Sequence, residues 1–596
     1  MSSLVTAVID SCIGALISKG RTLAAEKLNH GDVVDAQLRQ LIIKDTDDIK
    51  SKLDGIISSH LKASITHFDN GVISLGRVLD KNIVGREAVE RKEVRLTEVV
   101  GTNKAIKVKE NSIVSLAKSI KNLHAVDLNK DAKKAIKKAR GSFQLAREKA
   151  IDAFSNDSQS TVTRLVAMAI RIMSTFLEEA DDPASSIDLL RSCLVDLHSM
   201  PEVKKIFKVK LSKSLKSKVA NNERNGIVAS VCRMNRNIYD LMCEFVEDGS
   251  KSGQLLMWPC VEIDREKIDL LRDARIAGDL RKMGMEQISM EPWLLGQEGE
   301  EEQRLKSIRG IAGNTKGQFI VGEKDKVKVF DKSGKVSSSF TFPEEWKNTE
   351  IRDLATDQAN NVYLLTSQNS NEPSGGSVYI FDKEAKMHHS FETRSENVVH
   401  SVMVDSSGNI LVSLIKMKYV RNWPINYDKK RKLFKNEGPN FKLTAVAFIL
   451  DVYENGKKNN RSITVACLDP SSCLCTIIEG RVIVLDPKDY TLHIFGITEY
   501  YQREKELVQL KAQGVVHGME FHQPSEQLCI LSEGKDSALR VSLYSKDGEY
   551  SRTILLDVFF ASELNYKPKF AVTNDGHFLL GPLRTDEGFN AVAYVI

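Results

Sequence analysis

Two periods divide the chain. Up to about residue 246, apolar side chains recur at i and i+4 with polar faces between them; beyond about residue 303 they come in short runs closed by Gly, Asn or Asp. The first spacing is that of amphipathic helices, the second that of short strands and tight turns. In the helical part, Leu4, Val8, Ile9, Ile13 and Ile17 mark one face of a first helix, and Asp32 can cap a second through Val34, Leu38 and Leu41. Residues 83–122 read as a further long helix, and Asp127 opens another that runs to Phe154. Leu165, Met168, Ala169, Ile172 and Phe176 form an apolar stripe, Pro183 suits a first helical turn, and Ser199 with Glu202 has capping-box spacing. A last helix spans Ile227 to Phe245. Long helices without a strict heptad predict an elongated antiparallel bundle over residues 1–246.

The strand pattern begins with Ile308 to Phe340 and returns near residues 353–391 at a spacing of about forty residues. Repeats of that period suggest four-stranded blades. Weaker copies follow near Val402–Tyr453, Cys475–Phe495, His517–Gly548 and Phe570–Ile596. The apolar run Ile463 to Asp469 finds no place in the simple pattern. Because the last copy ends on a strand, ring closure calls for a strand from Leu294–Leu305 or from the flank of the first copy. The expected architecture is therefore multidomain α + β: a helical bundle (1–246), a connector packed between domains (247–302) and a six-bladed β-propeller (303–596).

Gly310-Ile-Ala, Gly317-Gln-Phe-Ile-Val, Val327-Lys-Val-Phe-Asp331 and Gly334 resemble the NHL repeat. Asp353-Leu-Ala, Val362-Tyr-Leu-Leu and Val378-Tyr-Ile-Phe-Asp382 give a second, looser match; the later copies depart from it. The whole arrangement also resembles a group of uncharacterised cnidarian proteins with a helical N-terminal region and an NHL-like C-terminal region. The resemblance implies a platform that binds protein or RNA. Ubiquitin ligases with NHL propellers carry closely spaced zinc ligands ahead of the propeller, whereas the Cys and His residues of 1–300 are scattered. NHL lyases hold a metal with histidines around the channel. Counting back eight residues from the turn glycine gives Arg309 and His400, and the surrounding pattern adds Arg352 and His517. Two histidines flanked by arginines suit an anion such as a carboxylate or phosphate better than a cation.

Composition changes this picture little. The net charge of +5 over 596 residues implies no polyanionic partner by itself, but residues 1–250 hold 40 basic against 32 acidic side chains. The densest basic run is Lys130, Lys133, Lys134, Lys137, Lys138 and Arg140, a candidate docking surface for anionic membrane, nucleic acid or protein, or simply a solvated face. The first helix is about 21 Å long at ~1.5 Å per residue, too short for a hydrocarbon core of about 30 Å. It reads as a bundle helix, with a membrane-seeking role as the alternative. A basic and aromatic insertion interrupts the third copy, with Lys416, Lys418, Tyr419, Arg421 and Trp423 as candidate binding residues.

The nine cysteines include no CxxC pair, so neither a disulfide framework nor a structural zinc site is indicated, and no signal-peptide pattern is present. Phosphate-loop, zincin and esterase motifs are missing. The reading is a cytoplasmic, non-enzymatic scaffold without a cofactor. Its propeller recognises a protein partner and its bundle docks or self-associates; RNA binding and a membrane-active bundle are the alternatives.

Overall fold

In the computed structural model, residues 58–90, 130–179, 183–212, 222–245, 255–290 and most of the chain from 293 onward, apart from connecting segments, are described. They fall into two compact units. The helical unit takes the chain up to Glu247 together with Trp258–Leu271 and Arg275–Ser289; the other takes Asp248–Met257, Arg272–Ala274 and everything from Met290. The stretch expected to be a single connector is thus shared out between the two. The first apolar helix, with Leu4, Val8, Ile9, Ile13 and Ile17, lies outside the described residues.

The helical unit contains α1 (Ser59–Glu90), α2 (Lys130–Phe154), α3 (Thr161–Glu178), α4 (Pro183–Ser199), α5 (Pro201–Leu211), α6 (Asn222–Phe245), the hairpin β1–β2 (Val261–Ile263, Glu266–Ile268) and α7 (Ala274–Lys282). Gly71 of α1 lets the Phe143 ring of α2 close in, since a Cβ there would lie 2.6 Å from the ring. Phe68 then meets Phe143 at 5.7 Å between centroids. The stripe expected on residues 165–176 is wider in the structure. Almost every side chain from Val162 to Leu177 is buried, so α3 is the central helix rather than a surface one. Ser160 caps it by accepting the Thr163 N–H at 3.2 Å. The capping box expected at Ser199 is not formed: Met200 is the N-cap of α5 and makes no side-chain cap bond, while the Ser199 hydroxyl donates back to the Asp196 carbonyl. Pro201 at the first turn, which needs no N–H there, sets that helix start instead.

The second unit is a β-propeller. Blade one holds β4 (Gly310–Gly313), β5 (Phe319–Gly322), β6 (Lys326–Phe330) and β7 (Val336–Thr341). Blade two holds β8 (Thr349–Thr356), β9 (Val362–Gln368), β10 (Ser377–Phe381) and β11 (Met387–Glu392). Blade three is β12 (Asn397–Val404), β13 (Ile410–Asn422), β16 (Asn440–Glu454) and β17 (Lys457–Val465), with a small hairpin β14–β15 (Ile425–Asp428, Leu433–Asn436) between its middle strands. Blade four is β18 (Leu474–Ile478), β19 (Arg481–Asp486), β20 (Thr491–Gly496) and β21 (Arg503–Gln509); blade five is β22 (Val515–His522), β23 (Gln527–Glu533), β24 (Leu539–Ser545) and β25 (Tyr550–Leu555).

Those five four-stranded sheets each use one continuous stretch of chain. A further four-stranded sheet is composite: β26 (Lys569–Val572), β27 (Phe578–Arg584) and β28 (Asn590–Val595) are completed by β3 (Trp293–Leu295). There Trp293 pairs with Tyr594, Leu294 with Ala593 and Leu295 with Val592, a closing strand that starts one residue ahead of the anticipated Leu294–Leu305 and overlaps only its first two residues. The unplaced Ile463 belongs to β17, the outer strand of blade three.

Recurrent turns explain why Asp, Asn and Gly punctuate the repeat. Between first and second strands, a side-chain oxygen accepts the N–H four residues on: Asn314 from Gln318, Asp357 from Asn361, Asp405 from Asn409 and Thr573 from His577. The residue three places after the acceptor takes a positive φ, as at Gly408 (83°), which glycine adopts without steric cost. Apolar layers lie between neighbouring sheets. Ile351, Leu354 and Leu364 of blade two pack with Ala312 and Ile320 of blade one, and Ala571 and Leu579 of the composite sheet pack with Ile311 and Phe319 of blade one. Each fully buried Leu or Ile contributes about 1.5–3 kcal/mol, so these layers hold the ring closed.

Candidate functional site

The first strands of all six sheets, β4, β8, β12, β18, β22 and β26, surround one cavity of about 520 Å³. Five of them bring polar side chains to it, among them Asp353, Ser401, Cys475, Glu520 and Lys569. From β4 the lining is Ile311, Ala312 and Gly313. The strands approach closely at Gly518, where a Cβ would come within 2.4 Å of the Phe570 Cβ.

Asp353 ties three inner strands together. One carboxylate oxygen accepts the Val402 N–H at 3.1 Å, and the other lies 3.4 Å from the Lys569 ammonium. Lys569 also donates to the Arg352 carbonyl at 2.8 Å. Burial, and then the Asp353 charge, push the Glu520 carboxyl up to about 8. It is therefore a protonated acid at neutral pH and can donate a hydrogen bond. Burial also pushes the Cys475 thiol up to about 12, leaving it a poor nucleophile. Ser401 bonds Ser413 at 2.6 Å and lies 3.4 Å from the Cys475 sulfur. Ser413 is 3.5 Å from His400 Nδ1, longer than the reach of about 2.6–3.2 Å at which a base takes a hydroxyl proton. The cavity suits binding of a small polar group by matched donors and acceptors.

Arg309, Arg352, His400 and His517 occupy equivalent places in four sheets. Arg352, His400 and His517 each stand where the pairing of an inner strand with its neighbour slips by one residue. Arg309 directly precedes β4 and bonds the Gly322 carbonyl through its N–H. Such bulges re-aim side chains. His400 and His517 line the cavity, whereas Arg309 and Arg352 flank Glu350 at 3.6 and 3.7 Å. His517 faces Glu533 at 3.0 Å. Arg309, Arg352 and His517 thus each already have a carboxylate beside them.

The basic run lies on the first turns of α2, where Lys130, Lys133, Lys134, Lys137 and Lys138 are exposed and Arg140 is half-buried. The insertion expected as a loop is instead a two-stranded ribbon. β12 pairs with β13 only as far as Lys416, and β17 pairs with β16 only from Phe448 onward. β13 and β16 go on pairing with each other to Asn422 and Asn440. Lys416 and Lys418 are exposed; Tyr419 and Arg421 lie on β13, and Trp423 is outside the described residues. The signal for a strand here was the alternation Lys416-Met417-Lys418 followed by Tyr419 and Val420, an aromatic and a β-branched residue.

Among the described residues, Cys467, Cys473 and Asp486 bring ligand atoms within 4.8 Å of one another. The sequence reading missed this cluster.

No known protein family matches the sequence, and no curated protein matches it. Solved structures do resemble it in fold. A gluconolactonase from Xanthomonas campestris is 9% identical, covering 49% of this chain and 85% of its own at a TM-score of 0.31. A calcium-binding protein, regucalcin, from Agrobacterium tumefaciens is 11% identical over 51% of this chain and 94% of its own, TM-score 0.33. A WD40 domain from Neurospora crassa is 12% identical over 49% and 89%, TM-score 0.31.

Proposed function

We propose that the protein is a non-enzymatic recognition scaffold whose propeller, a six-bladed ring of NHL type, grips an acidic protein partner through the blade-three ribbon. The ribbon carries this reading. Strands β13 and β16 run for 13 and 15 residues, where the other propeller strands have 3 to 9. A two-stranded ribbon beyond a sheet has little core of its own, and ordering it costs about 1–2 kcal/mol per residue in backbone entropy. A surface that accepts it offsets that cost. Its sequence is rich in cations, with Lys416, Lys418, Arg421, Lys429, Lys430, Arg431, Lys432 and Lys435, and it carries Tyr419, Trp423, Tyr427 and Phe434. Arg and large aromatics are the side chains that anchor protein interfaces.

The helical unit supplies docking or self-association in this scheme, and the described cysteines, all free thiols, suit the cytoplasm. Among the described residues no helix is long and apolar enough to cross a membrane. The test is in-cell photo-crosslinking from position 418, comparing the full chain with a variant in which residues 417–445 are replaced by Asn-Gly. A discrete protein adduct lost on ribbon removal is expected. An adduct pattern unchanged by the replacement sinks the proposal, as does recovery of nuclease-sensitive RNA whose binding falls steeply with salt.

A further inference from the structure

We infer that Cys467, Cys473 and Asp486 form a binding site for one thiophilic divalent cation, zinc foremost, at the junction between blades three and four. Cys467 lies just past β17, the outer strand of blade three, and Cys473 just before β18, the inner strand of blade four. Asp486 is the last residue of β19. The fold therefore brings the linker back against the turn after β19, so that two thiols and a carboxylate meet within 4.8 Å. Each donor has a stated environment. Cys473 is fully enclosed, and its sulfur lies 3.4 Å from the Asp469 carbonyl. Cys467 is half-buried and packs against the apolar layer formed by Phe448, Val465, Val482 and Val484. Asp486 is 1% exposed, with one oxygen accepting the Lys488 N–H at 3.0 Å.

A buried carboxylate beside two thiols is the donor set of a soft-to-borderline metal. Paired sulfurs disfavour magnesium and calcium, while the carboxylate disfavours copper(I), which leaves zinc as the best match. The partner thiol, and then burial, drive the Cys473 thiol far above the ordinary range. Binding a dication replaces two thiols by thiolates of about 2.3 Å reach and releases their protons. A water completes the tetrahedron. The site staples the blade-three exit to blade four across the short Leu-Asp-Pro-Ser-Ser segment, beside the apolar layer the two blades share.

The experiment uses the full chain, produced with zinc supplementation and purified without chelator. Metal content is read by mass spectrometry of the element, and geometry by the sulfur-to-metal charge-transfer bands after exchange into cobalt(II). About one zinc per chain and tetrahedral cobalt bands support the site. Cys467→Ser and Asp486→Asn, chosen because neither removes the most buried thiol, should each weaken retention at least tenfold while far-ultraviolet dichroism is unchanged. Less than a tenth of an equivalent of zinc in chain whose thiols titrate as free overturns the inference. So does full zinc retention in the Cys467→Ser, Cys473→Ser double variant, or an intact mass lacking two hydrogens with a 467–473 crosslinked peptide, which would make the pair a disulfide.

Discussion

The indole Nε1 of Trp258 donates a hydrogen bond of 3.1 Å to the side-chain oxygen of Asn235. The same Asn235, 0% exposed, donates from its amide nitrogen to His198 Nε2 at 3.0 Å and to the Val231 carbonyl at 2.9 Å. Trp258 is therefore a core residue of the helical unit, edge-on to Tyr239 at 6.3 Å. Replacing Asn235 with Ala orphans a buried indole N–H and an imidazole nitrogen. The expected loss is about 2–4 kcal/mol, read from the urea midpoint of the tryptophan-monitored transition.

His198 gives the same unit a defined acid response. Burial holds its imidazole down at about 4, against an ordinary value of 6.5. Between those values the unfolded chain binds a proton that the folded chain refuses, so stability falls as pH drops through that window. His198→Gln should flatten the fall between pH 6.5 and 4; an identical slope in both proteins would remove His198 from the account.

Glu520 predicts the opposite sign in the propeller. Its folded value near 8 exceeds the ordinary 4.5, so the folded form keeps a proton that the unfolded form has lost. Stability therefore declines as pH rises from 4.5 to 8 and levels off above. In Glu520→Gln the decline should shrink, with the variant gaining most over wild type at pH 8 and above, as measured by thermal melts across that range.

Gly518 sets the spacing of two inner strands. With 2.4 Å between an added Cβ and that of Phe570, Gly518→Ala must push β22 from β26. A loss of about 1–3 kcal/mol is expected; Phe570→Ala keeps the clashing Cβ and should leave that loss in place, whereas Phe570→Gly should recover part of it in a double-mutant cycle.

Much of the blade order was legible because Val-x-Val alternation and Asp or Asn turns are local signals. Three features were not, each for a physical reason. Ile463 looked unplaced because its partner strand β16 is separated from its blade's inner strand by the ribbon. Arg352, His400 and His517 were found as equivalent, but each sits on a bulge, and a slip of one residue changes which neighbour faces the channel. Asp353, one position on, is the residue that links β8 to β12 and Lys569. The Cys467, Cys473 and Asp486 cluster spans two blades, and a spacing rule built on local pairs such as CxxC has no access to such a meeting.

β3 and β28 stand nearly three hundred residues apart in sequence and lie side by side in space. Five sheets can form as the chain emerges, but the last is complete only when β28, made at the far end of the unit, meets β3, made before all of them. Loop-closure entropy is then met late, and until that moment β28 presents a bare edge. That unzipped ring is the species most prone to pair with another copy, so expression at high concentration should favour exchange of β3 between chains, and shortening the wait should suppress it.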